Sequence, residues 1–179
     1  MNEPSVFHLI GEITHQKDVS CVLIGGFAVN HYRVTRNTAD IDFLITKEDF
    51  EKIFDVLKKA SYKQGSSHEN FAHLKSGRLS LMDIDFMFVE KETLSKITQE
   101  SQSLTIARQK FRVPSLNHLI ALKLHAINYN PKLRFTKDFP DIMNLIRINQ
   151  MNVKDKNFKE LCLKYGNEDL YHKLLELTK

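Results

Sequence analysis

Short apolar runs dominate the first half of the chain, and helical patterns dominate the second half. The runs that begin near residues 21, 41 and 84 consist mainly of Val, Ile, Leu and Phe, which is typical of buried strands. After residue 114, apolar residues recur at the spacing of amphipathic helices. This order predicts an α+β fold, with a mixed β-sheet flanked by helices and a C-terminal helical part.

The individual elements follow from the same pattern, with boundaries set to within about two to four residues. Helices are predicted at 5–17, 26–34, 47–60, 92–97, 116–128, 137–149, 155–165 and 168–177. Strands are predicted at 20–24, 39–45, 69–75, 79–89, 104–106 and 110–113. Since no repeat or low-complexity linker interrupts the chain, we interpret 1–179 as a single domain, with an α/β part at about 1–113 and a helical part at about 114–179.

Gly25 and Gly26 directly follow the first apolar strand and precede a predicted helix. Glycine tolerates positive φ and has no side chain to obstruct a ligand. The backbone N–H groups of the turn and the positive end of the helix would therefore face an anion such as phosphate. A Gly-Gly pair by itself is more often only a turn, so the neighbouring residues decide the interpretation.

Asp40 and Asp42 flank Ile41 at the start of the next apolar strand. The two-residue period of a strand places both carboxylates on one face and Ile41 on the other. Two adjacent carboxylates repel each other unless a cation lies between them, and carboxylate oxygens are ligands that Mg²⁺ prefers. The sequence therefore predicts a metal site here, beside the predicted phosphate site.

A further pair of acidic residues, Asp83 and Asp85, opens a later apolar strand. Period-two geometry places both on the same face, so spacing alone does not choose between them as a third carboxylate.

The segment VLIGGFAVNHYRVTRNTADIDFLI resembles the signature of the nucleotidyltransferases of the DNA polymerase β superfamily, which is a hydrophobic strand, Gly-Gly or Gly-Ser, a spacer, and Asp-hydrophobic-Asp. Within that superfamily, Gly25-Gly26-Phe27-Ala28, Arg36-x-Thr38 and Asp40-Ile41-Asp42 resemble the small bacterial AbiEii- and MenA-type toxin nucleotidyltransferases. The resemblance implies an enzyme that moves an NMP from a nucleoside triphosphate to a hydroxyl acceptor. It also implies two Mg²⁺ ions, with Mn²⁺ as the alternative cofactor.

The same resemblance assigns roles to single residues. Gly25 and Gly26 would hold the triphosphate, and Asp40 and Asp42 would hold the metal ions. In the family the third acid opens the apolar run, which favours Asp85 as a metal ligand and as the base for the acceptor hydroxyl. Arg36 would either support the loop before Asp40 or contact phosphate, whereas the Thr38 hydroxyl is expected to bond the backbone that presents the acids.

The resemblance continues in Val113-Pro114-Ser115, in Leu119–Ala126 and in Lys137-Asp138-x-x-Asp141-Ile142. It implies that Lys123 and Lys137 face the nucleotide and neutralise its β- and γ-phosphates. Lys123 lies among apolar residues and is not an ordinary surface lysine, whereas a surface ion pair explains Lys137 equally well. Asp138 and Asp141 are expected to orient one of these lysines rather than to bind metal.

The net charge of +4 fits ATP or RNA as a partner. Arg108, Lys110 and Arg112 alternate along a predicted strand opposite Phe111, and a solvated strand face is a more common reason for such a row than a nucleic-acid groove. Three functions remain open: an RNA-directed, toxin-like enzyme that extends tRNA and has a cognate antitoxin; an enzyme that modifies a small molecule or protein side chain; and a non-catalytic nucleotide-binding module.

The sequence predicts a cytoplasmic protein without a membrane partner. No apolar run approaches 18 residues, and the first residues, Met-Asn-Glu-Pro, lack a basic segment. Cys21 and Cys162 lack metal-ligand or redox spacing, and Cys21 lies in an apolar strand as a reduced core residue would.

Overall fold

The structure is a computed structural model of the chain and describes residues 5–178. The helices of this range are α1 (Val6–Gln16), α2 (Gly25–His31), α3 (Lys47–Lys59), α4 (Lys91–Gln99), α5 (Leu116–Tyr129), α6 (Pro131–Ile148), α7 (Lys156–Tyr165) and α8 (Glu168–Leu177). Its strands are β1 (Cys21–Leu23), β2 (Asp40–Ile45), β3 (Tyr62–His68), β4 (Phe71–Ser76), β5 (Asp83–Phe88), β6 (Gln102–Ile106) and β7 (Gln109–Val113). None of the helices in the described range is long and apolar enough to cross a membrane.

The strands form one mixed sheet in the order β3-β4-β5-β2-β1-β7-β6. The pairs β2–β5 and β1–β7 are parallel, and the other neighbours are antiparallel. The predicted α+β class with a mixed sheet is therefore confirmed.

The chain divides into two compact units. The first contains residues 5–28 and Asn37–Pro114, and it holds the sheet with α1, α3 and α4. The second contains Val29–Arg36 and residues 115–178, and it holds α5 to α8. Helix α2 begins in the first unit and ends in the second. The single-domain interpretation stays a prediction.

Buried side chains of β2 and β5 form the centre of the first unit. Ile41 and Phe43 on β2, and Ile84 and Phe86 on β5, have no exposed surface, and the rings of Phe43 and Phe86 stack with centroids 5.9 Å apart. Burial of each such side chain contributes about 1.5–3 kcal/mol. Because neighbouring residues on a strand point to opposite faces, this packing fixes the face on which the intervening acidic residues lie.

The second unit is held together by apolar faces of its helices, among them Leu124 on α5, Leu145 on α6 and Cys162 on α7, all fully buried. The Ser115 hydroxyl accepts a hydrogen bond from the His118 N–H and caps α5, as its position before the helix predicts. Gly166 ends α7.

The prediction missed one strand and placed the start of one helix too late. The strand Tyr62–His68 was not predicted, because every residue after Tyr62 is exposed and the segment has no apolar alternation. Helix α6 begins at Pro131 rather than at 137, with proline in the first helical turn, where its missing N–H does no harm.

The predicted basic row is only partly correct. Lys110 and Arg112 are exposed on β7 and Phe111 is buried, but Arg108 lies in the turn before the strand with a φ of 66°. Three alternating cations on one strand are therefore not present.

Candidate active site

Four acidic residues lie on one face of the adjacent strands β2 and β5. The parallel register pairs Asp40 with Asp83 and Asp42 with Asp85. All four are half-buried, whereas the intervening residue of each strand is buried on the opposite face. The structure thus brings together every carboxylate that the sequence singled out for metal binding, and like charges this close disfavour one another unless positive charge lies nearby.

Gly25 is required by its own conformation and by Asp42. Its φ is +62°, and a Cβ placed on it would lie 1.8 Å from Oδ2 of Asp42. The N–H of Ile24 donates to the carbonyl oxygen of Asp42 at 2.9 Å. Asp42 therefore packs directly against the glycine turn, which gives the first glycine a role besides the predicted phosphate contact.

The absence of a side chain at Gly26 leaves room for Thr38, which hydrogen-bonds Asp40. A Cβ at Gly26 would lie 2.7 Å from the Cβ of Thr38. The Thr38 hydroxyl donates to the carbonyl oxygen of Asp40 at 2.9 Å and lies 3.0 Å from Oδ1 of the same residue. This contact confirms that Thr38 bonds the backbone that presents the acids. Gly25 thus leaves room for Asp42, and Gly26 leaves room for Thr38, which supports Asp40.

Asp83 and Asp85 have different surroundings. Oδ1 of Asp83 accepts a hydrogen bond from the Ser76 N–H at 2.8 Å. Burial, with a further contribution from the charge of Asp83, raises the pKa of Tyr62 to about 12. The hydrogen bond from the Ser76 N–H to Asp83 is typical of an acid that supports the end of a strand. It agrees with the choice of Asp85 as the third carboxylate. That choice itself stays a prediction.

His73 on β4 is the site residue that the sequence interpretation missed. It lies opposite Asp85 in the antiparallel pair β4–β5, and its Nδ1 is 2.6 Å from Oδ1 of Asp85. Its Nε2 is 3.6 Å from Oδ2 of Asp83. The only local signal was its place in a predicted strand, and the partner strand cannot be read from local spacing.

The second unit contains a charge cluster in which Lys123, Asp138 and Asp141 are buried and Arg36 and Arg134 are partly exposed. Nζ of Lys123 donates to Oδ1 of Asp138 at 2.9 Å and to Oδ2 of Asp141 at 2.7 Å. Lys123 is 7% exposed, and Asp138 is fully buried. Asp138 and Asp141 therefore orient Lys123, which is one of the two arrangements expected from the sequence.

Two arginines complete the charge cluster. Arg36 forms an ion pair with Asp141. Nε of Arg134 lies 2.7 Å from Oδ2 of Asp138, but the direction is wrong for a hydrogen bond, so this contact is an ion pair only. Three cations face two carboxylates, which leaves the cluster with one excess positive charge.

Arg36 is also held through its backbone. Asn30 accepts from the Arg36 N–H at 2.7 Å and donates to the Arg36 carbonyl oxygen at 3.0 Å. These contacts fix the chain just before Asp40, which fits a supporting role for Arg36; a phosphate contact stays a prediction. Lys137 is exposed on α6, and its nucleotide-binding role likewise stays a prediction.

The acidic patch fits Mg²⁺ by donor chemistry, because carboxylate oxygens are its preferred protein ligands. Within residues 5–178, however, no three His, Cys, Asp or Glu side chains converge as a preformed metal cage. The metal assignment thus rests on the chemistry of the donors and on the strand register.

Solved structures with the same fold include the antibiotic-resistance factor ANT(2″)-Ia in complex with adenylyl-2″-tobramycin, at 16% identity and a TM-score of 0.63, covering 89% of this chain and 95% of that chain. A lincomycin-bound lincosamide antibiotic adenylyltransferase, LnuA, is 17% identical with a TM-score of 0.55, covering 78% of this chain and 94% of that one. An antigenic nucleotidyltransferase-like protein from Paracoccidioides brasiliensis is 15% identical with a TM-score of 0.59, covering 95% of this chain and 87% of that one. At these identities the similarity shows the fold alone.

No curated protein sequence matches the chain. A family match, in contrast, covers residues 10–179 and therefore includes the glycine turn, the four acids and the charge cluster. On this match the chain belongs to the family described as "Uncharacterised nucleotidyltransferase" and is a nucleotidyltransferase enzyme.

Proposed function

We propose that the protein transfers an NMP from a nucleoside triphosphate to a hydroxyl acceptor, releases pyrophosphate and depends on Mg²⁺. The observation that carries this proposal is the register of Asp40 with Asp83 and of Asp42 with Asp85, beside a glycine turn packed against Asp42. A sheet face with this charge needs cations, and the phosphates of a nucleotide share those cations in metal-assisted phosphoryl transfer.

In this proposal, Asp40, Asp42 and Asp85 hold the metal ions. When bound, Mg²⁺ would stabilise the negative charge that develops on the transferred phosphoryl group. Asp85 also accepts the proton of the acceptor hydroxyl at a carboxylate oxygen, which makes the hydroxyl oxygen a better nucleophile. The backbone N–H groups at Gly25 and Gly26 bind the triphosphate. Two ions are proposed, and Mn²⁺ is the alternative metal.

Lys123 and Lys137 are proposed to neutralise the charge of the leaving pyrophosphate. The excess positive charge of the cluster around Lys123 supports an anionic ligand, since two carboxylates do not offset three cations. Arg36, whose side chain is 20% exposed, is the cluster member proposed to contact phosphate.

Three acceptors are proposed. The resemblance to AbiEii- and MenA-type toxins supports tRNA as the acceptor and a cognate antitoxin as a protein partner. The shared fold of ANT(2″)-Ia, seen with adenylyl-2″-tobramycin, and of lincomycin-bound LnuA favours the hydroxyl of a small molecule as the second candidate. A protein side chain is the remaining hydroxyl acceptor.

The test is transfer of label from each of four α-³²P nucleoside triphosphates, with Mg²⁺, to total RNA, cellular metabolites or total protein in separate reactions. We expect one pool to be labelled, and we expect EDTA, Asp40→Asn and Asp42→Asn each to remove the label. Asp85→Asn should lower kcat by about 10²–10⁴-fold, the usual contribution of a general base.

Asp83→Asn is the matched control, since it removes a neighbouring carboxylate from the same strand. A larger effect of Asp83→Asn would move the third acid to position 83. Binding of nucleotide without labelling of any pool would instead support the non-catalytic module.

A further inference from the structure

We propose that His73 is a positioning residue that holds Asp85 in the orientation needed to bind metal and to accept the acceptor's proton. The inference rests on the function proposed above, and it adds a residue that the Gly-Gly and Asp-x-Asp motifs do not contain.

The contact between the two side chains is direct. Nδ1 of His73 lies 2.6 Å from Oδ1 of Asp85. A carboxylate can only accept hydrogen bonds, so Nδ1 is the donor. The two residues face each other in the register of β4 and β5, and both side chains are half-buried, at 29% and 18% exposure. A charge-assisted bond of this length is strong enough to fix the rotamer of a carboxylate.

The imidazole ring lies close to the neighbouring strand and to Asp83. On the adjacent strand β3, a Cβ at Gly65 would lie 3.0 Å from Cδ2 of His73, so a side chain there would press on the ring. Nε2 lies toward Asp83, at 3.6 Å from Oδ2, and Oδ1 of Asp83 is bound to the Ser76 N–H. Ser76, Asp83, His73 and Asp85 are therefore neighbouring polar groups, and the 2.6 Å bond to Asp85 is the close contact of the imidazole.

This arrangement has a defined chemical consequence. Groups that hydrogen-bond a metal-ligating side chain set its orientation, and removing them typically lowers metal affinity or activity by about 10–100-fold. His73 binds one named oxygen of Asp85, which is paired with Asp42 in the register of β2 and β5. Loss of His73 should therefore weaken the ligand set through Asp85, the carboxylate that it hydrogen-bonds.

The experiment compares His73→Ala, His73→Asn and His73→Gln in the full chain. The side-chain nitrogen of asparagine can take the place of Nδ1, whereas that of glutamine corresponds to Nε2. His68→Ala is the control, because His68 is an exposed histidine on the neighbouring strand β3. The readouts are Mn²⁺ affinity of the free protein by electron paramagnetic resonance, kcat and KM for nucleotide, and melting temperature.

We expect His73→Ala to weaken Mn²⁺ binding by about 10–100-fold and to lower kcat by a similar factor, with little change in KM. His73→Asn should recover most of both losses, His73→Gln should recover less, and His68→Ala should match the wild type. In the double variant that combines His73→Ala with Asp85→Asn, the histidine substitution should add nothing to the effect of Asp85→Asn.

Two outcomes overturn the inference while the proposed function stands: wild-type Mn²⁺ affinity in a folded His73→Ala variant, or equal losses in the alanine and asparagine variants. A wild-type protein that neither binds Mn²⁺ nor transfers label overturns the proposed function, and the inference with it.

Discussion

At the scale of single residues, the glycine pair is explained by contacts as well as by backbone freedom. Gly25 has positive φ and Asp42 packs against it, whereas Gly26 faces Thr38. Both positions therefore exclude a side chain for reasons that can be tested one at a time.

Gly25→Ala should remove transfer activity, because the new Cβ would collide with the carboxylate of Asp42 and would also strain a left-handed φ. The strain alone costs about 1–3 kcal/mol. Gly26→Ala should be milder, since its φ lies outside the left-handed region and the new Cβ meets Thr38 rather than a carboxylate, and it should act through Asp40. Steady-state kinetics and Mn²⁺ affinity measure both variants. Equal activity of Gly25→Ala and wild type would contradict the packing of Asp42 on the turn.

At the scale of the elements, the charge cluster joins the segment before β2 to α5 and α6. Asp138 and Asp141 both bind Lys123, and each has an arginine as a second partner. Removing one partner of a buried ion pair is costly because it leaves the other charge uncompensated.

Lys123→Met should lower the free energy of unfolding by about 3 kcal/mol, near the lower end for buried pairs because the arginines remain. Denaturant titration measures this change. Lys137→Met, at an exposed position on α6, is the control and should stay within about 0.5 kcal/mol of wild type. A stable Lys123→Met variant that binds triphosphate poorly but monophosphate normally would show that Lys123 serves the nucleotide rather than the fold.

At this same scale, local spacing explains which parts of the site could be predicted. Asp40 and Asp42 are two residues apart, so the strand period alone places them on one face. The contact between His73 and Asp85 depends on which strands pair, and the polar strand β3 carries no apolar signal at all. The register of β2 with β5 likewise emerges only from the assembled sheet.

At the scale of the whole molecule, the thiol of Cys162 and the phenol of Tyr62 make the stability of the fold depend on pH. Burial raises the pKa of Cys162 from 9.0 to about 12, and burial followed by the charge of Asp83 raises that of Tyr62 from 10.0 to about 12. The folded protein keeps these protons at pH values where the unfolded chain has lost them. Their contribution to stability is therefore complete below pH 9 and is lost as the pH rises to about 12.

The free energy of unfolding should fall between pH 9 and pH 12. The Cys162 part should be on the order of a few kcal/mol, at about 1.4 kcal/mol per pKa unit. Cys162→Ala should be less stable than wild type at pH 8 because of the cavity that it leaves, and should lose less stability as the pH rises. Urea titrations at several pH values measure both slopes. Parallel slopes for the two proteins would show that the thiol does not contribute.

The polar strand β3 also has a consequence for how copies of the molecule meet. It lies at one edge of the sheet, its register with β4 shifts between Gln64 and Ser67, and every residue after Tyr62 is exposed. The free N–H and C=O groups of an edge strand can pair with strands of other molecules. Irregular pairing, polar side chains and a lysine all make such pairing unfavourable. We therefore expect Lys63 and the irregular stretch around Gly65 to disfavour the pairing of this border of the sheet with strands of other copies.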